Sequence, residues 1–194
     1  MMDIKIIENE NPTTLPDEDT LGFGKVFTDH MFLMKYTEGK WKNPRIVPFG
    51  NLSLSPSAQV FHYGTEIFEG MKAFRREDGQ VQLFRPELNM ERLNSSAIRL
   101  TLPPISIEDS LKYLKTFVRH EEKFVPKKEG TALYIRPFMI GTDPTLGVHP
   151  ATEALYAIIA SPVGSYYGKE GLKPVKILIE DQDVRAVRGG TGMA

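Results

Sequence analysis

The sequence predicts an α+β fold, and three observations carry that expectation. Strand-like runs come first, two helix-like stretches follow, and strand-like runs return, an order that segregates helices from strands instead of alternating them. Each helical stretch carries its apolar residues on one side only, so it needs a sheet to pack on. The balance of 41% hydrophobic and 25% charged residues in a chain of 194 is that of an ordinary globular protein.

The elements follow in order. Residues 1–22 are polar and hold prolines and acids, which reads as an arm outside the core. "HMFLMKYTEGKW" is an apolar run, a Glu-Gly turn and a tryptophan, a hairpin pattern. "SPSAQVFHYGTEIFEGMKAF" opens with serines suited to a helix N-cap and sets Val60, Phe61, Gly64, Ile67 and Phe68 at helical spacing, so a short helix is expected there. "KAFRREDGQVQLFR" has two alternating runs around an Asp-Gly that supplies positive φ, a second hairpin. Pro86 fits a first helical turn, with Met90, Leu93, Ala97 and Leu100 on one face. Ser106 and Asp109 form a capping pair for a second helix whose stripe is Leu111, Leu114, Phe117 and Val118. "TALYIRPFMI", "TEALYAIIAS" and "PVKILIE" read as three strands. A glycine-rich break near 164–171 marks a domain boundary, dividing the chain into the arm, an α+β domain over 23–164 and a further piece over 165–194.

Composition narrows the function. A formal net charge of -1 gives no footprint for nucleic acid or an anionic membrane. No cysteine is present, which removes disulfides and thiolate metal sites. The first residues lack a basic, apolar leader, and no run approaches the about 18 apolar residues of a membrane span, so a cytoplasmic location is expected. The four histidines are scattered with no metal-binding spacing, and no metal is expected. "GGTG" lacks the lysine and hydroxyl of a phosphate loop, and there is no G-x-S-x-G elbow.

Two arginines stand out. Period-2 geometry puts Tyr134 and Arg136 on one strand face, a phenol beside a guanidinium that could hold a carboxylate, although a solvated arginine on a half-exposed strand is the commoner outcome. Arg92 sits on the turn that carries Met90 and Leu93, where its stem can be buried and its head can meet an anion, or it can pair with Glu91 or Glu87 in water. Tyr63 is a pocket wall or an ordinary core aromatic. The residue pattern alone leaves these alternatives open.

Four phrases in order, "FHYGTEIFEGMKAF", "LFRPELNMERL", "LYIRPFMIGTDPTLGV" and "VRGGTGMA", resemble the branched-chain amino-acid aminotransferases, fold-type-IV pyridoxal-phosphate enzymes, from Phe23 nearly to the last residue. The resemblance implies the small antiparallel-sheet domain of that fold, with its linker and the first strand and loop of a larger domain in 165–194. It implies pyridoxal 5'-phosphate as cofactor, transamination of leucine, isoleucine and valine with 2-oxoglutarate or glutamate in amino-acid biosynthesis, and a homodimer. Arg92 matches the arginine on the cofactor phosphate. Phe23, Tyr63, Tyr134 and Tyr166 look like pocket walls, Arg136 like the residue that takes the distal carboxylate of glutamate, and Val148 like a residue reaching the neighbouring subunit's pocket. In the family the lysine that forms the Schiff base follows the phrase matching "RGGTGMA", so it is expected directly after Ala194; residues 1–194 read as a fragment or, the favoured reading, as a sequence interrupted at a cofactor-linked lysine, and alone they should be inert. Lys25 and Lys72 read as snorkelling surface side chains. D-amino-acid aminotransferases and aminodeoxychorismate lyases share the fold, and a segment that only dimerises is the reading from another class. "LYIRP" argues for the branched-chain enzymes.

Overall fold

The computed structural model describes residues 2–164 and 174–192. The elements are strands β1 (Lys5–Ile6), β2 (His30–Thr37) and β3 (Lys40–Pro48), helix α1 (Gln59–Tyr63), strands β4 (Glu66–Phe68), β5 (Met71–Arg75) and β6 (Val81–Leu83), helices α2 (Pro86–Arg99) and α3 (Ile107–His120), and strands β7 (Ala132–Gly141) and β8 (Ala154–Val163). They form one sheet in the order β1-β3-β2-β8-β7-β5-β6, with β4 also on β7. Every pairing is antiparallel except β1 with β3. This is the expected α+β class.

Local chemistry sets most of these elements. The β2–β3 turn uses positive φ at Glu38 and Gly39, and the β5–β6 turn uses it at Gly79, where the Gly79 amide donates to the Arg76 carbonyl. Pro86 opens α2, and Ser106 caps α3 by accepting from the Asp109 amide at 3.1 Å while donating to its carboxylate at 2.9 Å. Met90, Leu93 and Ala97 of α2 and Leu114, Phe117 and Val118 of α3 are buried in one cluster with Phe32, Leu133, Ile135 and Ile158 of the sheet. The helices therefore cover one sheet face. The odd-numbered residues of β7 point into that core and the even-numbered ones to the opposite face.

Three expectations need correcting. The short helix expected around Val60 and Phe61 forms but does not extend to Ile67 and Phe68, because Gly64 takes a left-handed C-cap after Tyr63 and the chain turns into β4. Ile67 is then buried as a strand residue while Phe68 faces the other way. Residues 174–180 form no strand, and Ile177, Leu178 and Ile179 are exposed, since no neighbouring strand among the described residues offers a ladder. The arm is also less detached than expected. β1 pairs with β3, and Met2 and Ile4 pack against the core. Further along it, the Thr13 amide donates to Asp29 and Glu18 accepts from the amides of Lys127 and Lys128.

Candidate functional site

The register on β7 organises the site. Glu66, Ile67 and Phe68 pair with Ile140, Met139 and Phe138, and Met71, Lys72 and Ala73 pair with Ile135, Tyr134 and Leu133. Both segments keep one register, so β4 and β5 are a single strand whose ladder lapses around Pro137, which has no amide hydrogen to give. The Glu69 amide bridges the gap by donating to the Pro137 carbonyl at 2.8 Å. Three consecutive residues at this lapse then do three different things. Phe68 turns to the face opposite the helices and carries the Arg136 guanidinium 4.3 Å over its ring. Glu69 turns to the helix side and grips Arg92. Gly70 stands opposite Arg136, and a Cβ there would lie 2.5 Å from the Tyr134 hydroxyl oxygen.

Tyr134 and Arg136 project together, as their spacing predicts, and Arg136 Nη2 donates to Tyr134 Oη at 2.8 Å. Phe23 packs on the Tyr134 ring with centroids 5.0 Å apart. Phe23, Phe27, Tyr134, Arg136, Ile159 and Ser161 line a cavity of about 210 Å³. Its walls are mostly apolar, and it holds one cation. Among the described residues no carboxylate lies within ion-pair distance of Arg136, and its Nε is buried without a hydrogen-bond partner. A half-buried guanidinium in that state has a donor free for an anion to accept from.

Arg92 has a partner that sequence spacing does not reveal. Its Nε and Nη2 donate to the two oxygens of Glu69 at 2.6 and 2.7 Å, not to Glu91 or Glu87. Asn89, one turn earlier on α2, donates to the same carboxylate at 2.9 Å. The Glu69 side chain is 3% exposed and that of Arg92 is 67% exposed, so the pair is anchored from below and open to water above. The Glu69 hydrogen bond, with its charge, raises the Arg92 pKa above its ordinary value. The remaining nitrogen, Nη1, makes no hydrogen bond among the described residues. Arg92 thus offers one open guanidinium edge, held in place by Glu69 in a pair that is neutral overall, and a phosphate bound there would need further donors.

Arg99 lies seven positions beyond Arg92 on the same face of α2. Its Nη2 donates to the carbonyls of Gly189 and Gly190 at 2.8 and 3.2 Å. The glycine loop therefore docks about 10 Å along the helix from Arg92. Tyr63 is anchored too, its hydroxyl donating to the Leu146 carbonyl. That contact braces the loop in which Val148 is 80% exposed. Tyr166 lies outside the described residues. Lys25 and Lys72 are exposed, as a surface role requires. Phe68, Glu69 and Arg99 are site residues that the sequence reading did not single out.

The class that this sheet and its helices define is the small domain of the fold-type-IV aminotransferases. The branched-chain amino acid aminotransferase of Escherichia coli is similar at 25% identity with a TM-score of 0.57, over 74% of this chain and 43% of that one. The Thermoproteus uzoniensis branched-chain aminotransferase with norvaline is similar at 26% and a TM-score of 0.54, over 70% and 41%. A third branched-chain aminotransferase, solved with pyridoxamine 5'-phosphate, is similar at 26% and a TM-score of 0.53, over 71% and 42%.

Sequence relatives narrow the class. The chain is 52% identical over 194 residues to branched-chain-amino-acid transaminase 1 of Bacillus subtilis, covering 98% of this chain and 54% of that protein. It is 56% identical over 180 residues to branched-chain-amino-acid aminotransferase 2 of the same organism, covering 92% and 49%. No protein-family model matches. The chain belongs to the branched-chain aminotransferase family, and it spans about half the length of the curated relatives it matches. No helix among the described residues is long and apolar enough to cross a membrane.

Proposed function

We propose that the protein transfers an amino group between branched-chain L-amino acids and 2-oxoglutarate, with pyridoxal 5'-phosphate as cofactor. The observation that carries this reading is Arg136, a cation with an unpartnered buried Nε and no carboxylate neighbour, at the wall of an otherwise largely apolar cavity. One pocket must accept both a leucine side chain and a glutamate side chain. Phe23, Phe27 and Ile159 offer the apolar surface for the first, and Arg136, oriented by Tyr134 and Phe68, offers a charge-assisted contact for the second.

When bound, pyridoxal phosphate supplies the electron sink for breaking bonds at the amino-acid Cα. The chain's own residues position it. Arg92, braced by Glu69 and Asn89, takes the phosphate, and Arg99 holds the glycine loop after which the resemblance expects the catalytic lysine. Val148 and Leu146, exposed at the tip of a braced loop, support a homodimer in which this loop reaches the neighbouring pocket. Tyr166 completes the substrate walls, the domain boundary lies near residue 164, and the protein acts in the cytoplasm.

The test is transamination by the protein isolated from its source, with 2-oxoglutarate and a panel of leucine, isoleucine, valine and D-alanine. Glutamate formation from the three branched-chain substrates, dependent on pyridoxal phosphate, is the expected result. Turnover of D-alanine alone, or of none of them, overturns the proposal.

A further inference from the structure

Away from the sheet face just described, two of the scattered histidines meet. His30 opens β2 and His120 ends α3, yet their rings stand 4.6 Å apart, edge to face. Glu8, from the arm, closes the group. Its Oε2 lies 3.8 Å from His30 Nε2 and 3.7 Å from His120 Nε2, and all three ligand atoms fall within 4.8 Å of one another. Ligand atoms about 2.1 Å from a tetrahedral ion stand roughly 3.4 Å apart, so the two Glu8 contacts need to shorten by a few tenths of an ångström, and the two histidine nitrogens, within 4.8 Å of each other, by at most about 1.4 Å.

A second, independent observation is Glu121. Its side chain is 1% exposed, and its Oε1 accepts from His30 Nδ1 at 2.6 Å while its Oε2 has no partner. Among the described residues no lysine or arginine pairs with it, and the other nitrogen within ion-pair distance is His120 Nε2 at 3.8 Å. That geometry puts the proton on His30 Nδ1 and leaves an Nε2 lone pair on the side of the ring where Glu8 and Asn9 lie. This is the carboxylate–histidine arrangement that orients imidazoles toward a metal. The backbone agrees on the tautomer, because the Asn9 amide donates to Nε2 at 2.9 Å. Two carboxylates, one of them fully buried, therefore gather at the C-terminal, negative end of α3 with no lysine or arginine among the described residues paired to either.

We propose that Glu8, His30 and His120 bind one zinc-class divalent cation, with Glu121 as the carboxylate behind His30. Imidazole nitrogens with one carboxylate oxygen form a borderline donor set that suits zinc over calcium or magnesium. The ion takes the His30 lone pair in place of the Asn9 amide, which returns to water at the surface of the arm. The consequence is structural. A metal joining the arm, the first residue of β2 and the last residue of α3 ties the terminal segment to the core.

The experiment uses the full chain, stripped with a chelator and titrated with zinc alone by calorimetry, with stoichiometry read by native mass spectrometry. One equivalent bound at micromolar or tighter affinity, with a raised melting temperature, is expected. Glu8→Gln and His120→Gln should each weaken binding at least about tenfold, and Glu121→Gln about 10–100-fold. His62→Gln, whose ring lies in another part of the fold and contacts the Pro56 carbonyl, should leave it unchanged. Glu8 is exposed on the arm, so its variant reports on binding even if a buried substitution fails to fold. Absence of saturable binding at micromolar zinc, or equal affinity in Glu8→Gln and the parent, overturns the proposal.

Discussion

Gly70→Ala is the sharpest probe of the site. A Cβ at Gly70 would stand 2.5 Å from Tyr134 Oη and 3.2 Å from Cζ, where contacts of about 3.5–4.0 Å are comfortable, so the phenol must withdraw by roughly 1 Å. Gly70 is not in the left-handed region, so alanine adds no backbone strain and the effect is purely steric. Phe23 packs on the same ring, and Arg136 is bonded to its hydroxyl, so withdrawal either disturbs the aromatic pair or breaks the 2.8 Å hydrogen bond. Overpacking costs about 1–3 kcal/mol, and a half-buried phenol at the end of its side chain places this case near 1 kcal/mol. Urea unfolding reads that term. The functional term is larger. An Arg136 head no longer held by Tyr134 forfeits much of a charge-assisted contact worth roughly 1.5–3 kcal/mol. That corresponds to a rise of about tenfold or more in KM for 2-oxoglutarate. KM for leucine, which meets the apolar wall, should move much less. Equal KM shifts for both substrates, or none with stability unchanged, refute the reasoning.

Other perturbations separate the remaining parts. Arg92→Ala strands a buried carboxylate with Asn89 as its remaining donor, and because Arg92 is largely exposed the cost in urea unfolding should be about 1–2 kcal/mol, below that of a fully buried pair. Its affinity for pyridoxal phosphate should fall as well, which fluorescence titration measures. Arg99→Ala should speed amide hydrogen exchange at residues 189–192 while barely changing the melting temperature, since it removes two bonds to an exposed loop. Burial raises the pKa of Tyr156, and burial with the Asp109 charge raises that of Tyr113. A raised tyrosine pKa means that the native state holds its proton more tightly than the unfolded chain does. The associated stability is present below about pH 10 and is lost as pH climbs through the native values, by up to about 1.4 kcal/mol per unit per group. Absorbance titration should therefore show Tyr156 ionising only with cooperative alkaline unfolding, and Tyr113 ionising later than an exposed tyrosine.

Much of the fold was legible because its signals are local. The Asp-Gly turn, Pro86, Ser106 with Asp109, and the alternation of Tyr134 and Arg136 each fix geometry within a few residues. What escaped depends on distant partners. Residues 66–68 keep helical spacing with Val60 and Phe61, and pairing with β7 overrides that spacing once Gly64 ends the helix. Residues 174–180 have strand composition but no strand beside them among the described residues. Glu69 and Arg92 are 23 positions apart, and no local pattern joins a strand-end acid to a mid-helix arginine. Had the even–odd alternation been carried on through Phe68, Glu69 and Gly70, it would have pointed to a face change at that spot, although not to the partner. His30 and His120 escaped for the same reason.

The central claim is that Arg92 and Arg136 hold the two anionic ends of one reaction centre, joined by the Phe68–Gly70 step. A crystal structure of the protein isolated from its source, grown with pyridoxal phosphate and glutamate, tests it most directly. The account predicts the phosphate against Arg92, with Glu69 still behind it, and the distal carboxylate on Arg136 beside Tyr134. Density for the phosphate elsewhere, with Arg92 in open solvent and nothing on Arg136, would contradict it.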